Sequence, residues 1–278
     1  MTTLVMGILN LTPDSFADGG RYFTPELAIN RSEEMISEGV DIIDIGAEST
    51  KPGSDRISED EELNRLLPVL TELSKKDLSK LDVTISVDTT RSKVAQAAIN
   101  LGARYINDVS GGAADSEMYR VIADNPHMQY IMMHWRAHSK NMDQFTEYKD
   151  LVRDVKEELE MRIEAAIRVG VQPEQIIIDP GIGFSKLPEQ NWQILRSIDR
   201  FMILGYPVLV GASRKRFLGE LTGESQPDNR EAASLAITSA MARQGVWAVR
   251  THSVKPHKDV IAVVNALRKV EANEKTSG

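Results

Sequence analysis

The sequence predicts an α/β fold: a single (β/α)8 barrel over residues 1–270, with long loops after strands one and two. Three observations predict it. Eight short apolar runs each stop at polar residues, helix-like segments separate them from end to end, and no obvious linker interrupts the alternation. Strict alternation of strand and helix implies parallel strands joined by right-handed crossovers. An open doubly wound sheet is the rival architecture. No glycine fingerprint of a dinucleotide fold follows the first strand, and eight units favour closure into a barrel.

The elements follow in order. The run Val5–Leu9 ends at Asn10, and a helix from Pro25 to Ser37 follows, with Thr24 as cap and Pro25 at its first position. Ile42-Ile43 ends at Asp44, with Glu48 close behind; Ser58-Glu59-Asp60-Glu61 then opens a second helix as a capping box before Leu63, Leu66 and Leu67. The acidic run Glu59–Glu62 reads as a solvated first turn complementing the helix dipole rather than a cation site. Val83–Val87 ends at Asp88, before a helix from Thr90 to Leu101. Arg104–Ile106 ends at Asn107-Asp108, before a helix from Ser116 to Ala123. Tyr130–Met133 ends at His134. Leu151, Val155, Leu159, Ile163 and Ile167 then recur every four residues, a buried helical stripe closed by Gly170. Ile176–Ile178 ends at Asp179, before a helix from Pro188 to Ile198. Pro207–Val210 leads through Gly211 to Ser213-Arg214-Lys215, with a helix from Arg230 to Gln244. Trp247–Val249 ends at Arg250 and His252, and a helix from Pro256 to Lys269 completes the pattern. The tail, 271–278, has no apolar anchor and is expected to be disordered.

Composition narrows the function. The chain has 278 residues, a formal charge of −8 and no cysteine. Disulfides, thiolate metal sites and cysteine nucleophiles are excluded. The negative charge disfavours nucleic acid as a partner but allows a small anionic substrate that meets local positive charge. No apolar run approaches the ~18 residues of a bilayer span, so no membrane partner is expected. The chain begins without a basic segment or cleavage site, which predicts a cytoplasmic protein.

In a barrel the loops after the C-terminal strand ends carry function. A lone Asp or Asn there is usually a cap or turn former. Caps do not require Arg, His and Lys to converge with carboxylates, and that convergence points to a site. Asp88, Asn107 and Asp179 suit a flat, nitrogen-rich heterocycle, since a carboxylate accepts two parallel N–H bonds and an amide both donates and accepts. A metal site near His134 is the rival reading. Gly211–Gly219 packs Arg214, Lys215 and Arg216 together. With Arg250 and His252, this segment lies where barrels often hold phosphate; a basic surface turn is the plainer alternative, which the buried strand leading into it disfavours. Asp179–Lys186 is a glycine turn presenting Phe184 and Lys186. The loops 10–23 and 48–57 are long for connectors and are expected to close over the reacting centre.

At these residues the sequence resembles the dihydropteroate synthases, enzymes of folate synthesis. The resemblance rests on the ordered segments Gly7–Phe16, Asp44–Gly53, Ser86–Thr89, Ile106–Gly112, Asp179–Lys186 and Ser213-Arg214-Lys215. The segment His134-Trp135-Arg136-Ala137 looks most like actinobacterial members. The resemblance implies a TIM barrel and a homodimer. It also implies a Mg²⁺-dependent transferase that joins 4-aminobenzoate to 6-hydroxymethyl-7,8-dihydropterin diphosphate by a dissociative mechanism. Carried over residue by residue, Asp88, Asn107, Asp179 and Lys215 bind the pterin, and Asp88, Asp179 and Lys215 are catalytic. Thr50, Pro52, Phe184, Lys215 and Arg216 border the aminobenzoate. Asn10, Arg250 and His252 hold the diphosphate, and Asn10 also meets Mg²⁺. The division implies that losing Arg250 weakens phosphate-bearing ligands alone. His127, His138 and His257 are expected on the surface. Sulfonamides mimic the aminobenzoate, so inhibition is expected.

Three positions depart from the family pattern: Ala47 for a glycine, Ser185 for Gly or Ala, and Ser253 for Asp. The last is expected to retune His252. A pterin-binding methyltransferase would share the pterin carboxylates but not need a diphosphate grip. A non-catalytic pterin-binding homologue would not need both long loops. A phosphosugar barrel enzyme would not explain Asp88, Asn107 and Asp179 together.

Overall fold

The computed structural model describes the chain outside residues 1, 13–23, 50–52, 139 and 277–278. Its strands are β1 (Leu4–Asn10), β2 (Ile42–Gly46), β3 (Thr84–Asp88), β4 (Tyr105–Asp108), β5 (Gln129–Met133), β6 (Ile176–Asp179), β7 (Leu209–Val210) and β8 (Ala248–Thr251). All pair in parallel, in the order β6-β5-β4-β3-β2-β1-β8-β7. The two ends meet through an Ile178–Val208 bridge, which closes the barrel.

The helices are α1 (Pro25–Ser37), α2 (Glu59–Ser74), α3 (Ser92–Asn100), α4 (Met118–Ala123), α5 (Leu151–Val169), α6 (Pro188–Arg196), α7 (Ile198–Met202), α8 (Arg216–Thr222), α9 (Glu231–Gln244) and α10 (Val254–Thr276). Thr24 and Ser58 cap α1 and α2 as their sequence suggests, accepting from Leu27 N at 3.5 Å and Glu61 N at 3.1 Å. Gly170 ends α5 in the left-handed conformation.

The structure differs from the sequence expectation at four points. Residues after Lys215 form a helix, α8, which the sequence reading does not mark. The sixth helix breaks at Ser197 into α6 and α7. Helix α10 runs to Thr276, through most of the tail expected to be disordered. Ile167 is 39% exposed and leaves the buried face of α5. Four residues are slightly more than one turn of about 3.6, so a four-residue stripe drifts around the helix, and Ala166 takes over the core position.

The barrel separates its residues by the two-residue period of a strand. Outward side chains such as Val5, Ile43, Val87, Ile106, Tyr130, Ile178 and Val249 pack under the helices in one large core. Inward side chains Met6, Ile42, Ile131, Ile177, Leu209 and Ala248 fill the barrel's lower interior as a second, smaller cluster. Two residues further along β2, β6 and β8 the inward positions become Asp44, Asp179 and Arg250. The core below therefore fixes the height and direction of the polar groups above it.

Candidate active site

The floor is built from strand ends that are neighbours in register. Asp88 stands opposite both Gly46 and Asn107. A Cβ on Gly46 would lie 3.3 Å from that of Asp88, so glycine leaves the carboxylate its room. Asp44, one strand over, is wholly buried. Its Oδ2 accepts from Asn107 Nδ2 at 3.0 Å and from Arg250 Nε at 2.6 Å. A second Arg250 nitrogen donates to Asp88 Oδ2 at 2.8 Å. Arg250 thus bridges two floor carboxylates. Arg250, expected at the phosphate, therefore also reaches the floor expected for the pterin.

Electrostatics follow from burial. Asp88 is pushed upward by desolvation, opposed by Arg250 and reinforced by the Asp44 charge. Asp179 is also raised by burial, with Lys215 and the Gly181 N–H opposing the shift. That N–H donates to Asp179 Oδ1 at 2.7 Å. Burial draws the Lys215 ammonium down to about 8. For Arg250 the Asp44 and Asp88 charges outweigh burial, so the guanidinium stays charged.

Lys215 is the residue just before α8 and bonds the Ile182 carbonyl. Its ammonium lies 4.6 Å from the centre of the Phe184 ring. Arg216 is exposed, 3.4 Å from Glu220 and 4.0 Å from Asp143. Its side chain faces solvent beside those carboxylates. Asn10 ends β1, opposite Gly46. His252 follows β8, and its Nδ1 lies 3.1 Å from Ser213 Oγ. Thr50 and Pro52 lie outside the described residues.

His134 does not support a metal. Its Nε2 lies 2.9 Å from Glu158 Oε2, and its Nδ1 3.1 Å from Lys186 Nζ. Among the described residues no group of three or more His, Cys, Asp or Glu side chains could hold a metal ion.

A model of the pterin-binding enzymes matches residues 6–252 of the chain. The sequence is 41% identical to the dihydropteroate synthase of Mycobacterium leprae over 268 residues, covering 94% of this chain and 92% of that protein. Two solved structures of the Xanthomonas albilineans dihydropteroate synthase are similar over 96% of this chain. The one with 4-aminobenzoic acid gives a TM-score of 0.88 at 37% identity, covering 93% of that chain. The one with 7,8-dihydropteroate gives 0.84 at 36%, covering 94%. The chain belongs to the dihydropteroate synthase family.

The departures from the family pattern now have surroundings. Ala47 is fully buried in the helix-facing core, and its carbonyl accepts from Arg65. Ser185 has φ +48, a left-handed backbone that favours glycine; its carbonyl accepts from Tyr148 OH at 2.9 Å. Ser253 donates to Glu231, whose other oxygen lies 3.4 Å from Arg214 Nε. Ser213 therefore holds His252, and Ser253 serves the helix layer.

His257 is buried, not on the surface. Its Nδ1 lies 2.8 Å from Thr238 Oγ1, and burial lowers its pKa despite Glu231. His138 is half-buried, while His127 is exposed as expected. Sequence reasoning also left Asp44, Ser213 and Glu158 out of the site. Asp44 carried a signal: it ends an apolar run as Asp88 and Asp179 do.

Proposed function

We infer that the chain condenses 6-hydroxymethyl-7,8-dihydropterin diphosphate with 4-aminobenzoate, giving 7,8-dihydropteroate and diphosphate. The observation that carries this is the convergence of Asp88, Asn107, Asp179, Lys215 and Arg250 on one floor. Carboxylates and an amide match an amino-lactam edge, which presents parallel N–H donors beside a carbonyl. The X. albilineans relatives hold 4-aminobenzoic acid in one case and 7,8-dihydropteroate in another.

In the dissociative reaction the C–O bond to diphosphate breaks first, and its electron pair leaves with the phosphate. The pterin methylene is then cationic, and that charge favours the ionised forms of the buried Asp88 and Asp179 carboxyls, which stabilise it. The neutral aniline nitrogen attacks, forms the C–N bond and releases a proton. No strong general base is needed. Phe184 and Lys215 flank the aminobenzoate, with Thr50, Pro52 and Arg216 at the entrance. Arg250 and His252 receive the departing diphosphate.

Mg²⁺ fits this site as a companion of the substrate. Asn10 offers a hard oxygen donor, and Mg²⁺ commonly binds through few protein groups together with substrate phosphates. When bound, it neutralises charge on the leaving diphosphate. We further propose a cytoplasmic homodimer. Val263, Leu267 and Val270 form an exposed apolar stripe on α10 that a second copy would cover. None of the described helices is long and apolar enough to cross a membrane.

The test supplies both substrates and Mg²⁺ to folded protein and follows dihydropteroate and diphosphate. Stoichiometric formation of both is expected. Absence of both from folded protein overturns the reading.

A further inference from the structure

Lys186 was expected to be presented beside Phe184, but it is buried beneath the glycine turn. Its ammonium has three N–H bonds and three acceptors: the Gly181 carbonyl at 3.0 Å, the Phe184 carbonyl at 3.1 Å and His134 Nδ1 at 3.1 Å. This contact fixes the tautomer: His134 Nε2–H donates to Glu158, leaving Nδ1 as acceptor. Arg136 holds the same carboxylate from the other side.

We propose that Lys186 is a positioning residue for the second substrate, clamping the Gly181–Phe184 turn so that Phe184 and the Ile182 carbonyl meet Lys215. It touches no reacting atom. It ties together the two carbonyls that bracket the turn, and between them lies Ile182, whose own carbonyl receives Lys215. Glu158 and His134 anchor the clamp to α5 and the end of β5. Burial, opposed by the Asp179 charge, draws the Lys186 ammonium down to about 7, so the three-donor clamp is complete below that pH. Burial, with the Lys186 charge, lowers His134 to about 3, so it remains a neutral acceptor. Burial raises Glu158, but the His134 and Arg136 hydrogen bonds outweigh it and hold the carboxylate at about 2. Small displacements of substrate-positioning groups are costly, with about 1 Å worth up to 100-fold in rate.

The inference rests on placing Phe184 beside the aminobenzoate. Lys186→Met preserves chain length and removes the donors. It is expected to raise KM for 4-aminobenzoate about 10-fold. The Kd of a diphosphate-free hydroxymethylpterin should rise less than that KM, because Asp88 and Asn107 are untouched and Asp179 and Lys215 feel the change only through Gly181 and Ile182. Phe184→Ala should raise the same KM, and the double variant should be no worse than the poorer single one. A structural defect alone would lower the active fraction without moving KM. Unchanged KM, equal loss of pterin binding, or additive effects of the two substitutions would overturn the proposal. If Lys186→Met does not fold, Glu158→Gln is measured instead. A smaller rise in the same KM is expected, and none would count against the clamp. Inactive wild-type protein would defeat the proposed function itself, an outcome distinct from these.

Discussion

Asp88 lies buried between the Arg250 guanidinium that neutralises it and the Asp44 carboxylate that repels it. Because its pKa is raised above 3.8 by folding, its contribution to stability is most favourable below that value. It declines as pH rises through the raised folded pKa. Asp88→Asn removes the titration while keeping an acceptor for Arg250. Its melting temperature relative to wild type should therefore climb between about pH 4 and pH 8, by roughly 2–4 °C per kcal/mol recovered. Pterin affinity should fall about 10- to 100-fold, because one charged acceptor pair becomes a neutral oxygen and a donor. Thermal scans across pH with pterin titrations check both; a temperature difference that shrinks with rising pH would refute the assignment. The same residue shows what the sequence makes legible. A carboxylate ending a buried run is visible in the letters, but its partner Arg250 is 162 positions away. Only barrel closure brings the two together.

Helix α5 illustrates the limits of pattern at the scale of an element. Its start at Leu151 and its stop at Gly170 are both written in sequence, and so is most of its buried face. The last repeat is misread because period four is not the helix period. Leu159 is fully buried, so Leu159→Ala should cost about 2–5 kcal/mol. Ile167→Lys should stay within about 0.5 kcal/mol, since it alters a largely exposed position. Denaturant unfolding of the two variants separates these outcomes, and comparable losses would show that Ile167 belongs to the core after all. Helix α8 was not legible because its seven residues, Arg216–Thr222, are too few to establish a period and include Gly219. The glycine turn before α6 was legible as a turn, yet not the direction of Lys186. A lysine after two glycines reads as solvent-facing until the acceptors beneath it are known.

The whole barrel supplies the site, since β1, β2, β3, β4, β6 and β8 each carry one of its polar groups within two residues of their C-terminal ends. That arrangement was legible, because alternation of strand and helix places all C-terminal strand ends on one face. Thr50 and Pro52 lie outside the described residues, and Mg²⁺ at Asn10 was legible only through the family resemblance. The barrel itself bears on the metal. With no carboxylate or imidazole cage among the described residues, Mg²⁺ has little reason to bind before the diphosphate does. Chelation should therefore leave the melting temperature of the ligand-free protein unchanged. On the proposed assignment the pterin diphosphate bridges several strand ends and binds only the folded barrel, so at 100 times its Kd it should add about 2.7 kcal/mol. Chelation should remove a large part of that increment, because Asn10 and the phosphates lose their shared cation. A diphosphate-free pterin should stabilise the protein equally with and without Mg²⁺. Thermal scans of the three states, each with and without chelator, test the argument. Loss of stability in the ligand-free protein would instead reveal a resident metal, and an Mg²⁺-independent response to the diphosphate would exclude the proposed role of Asn10.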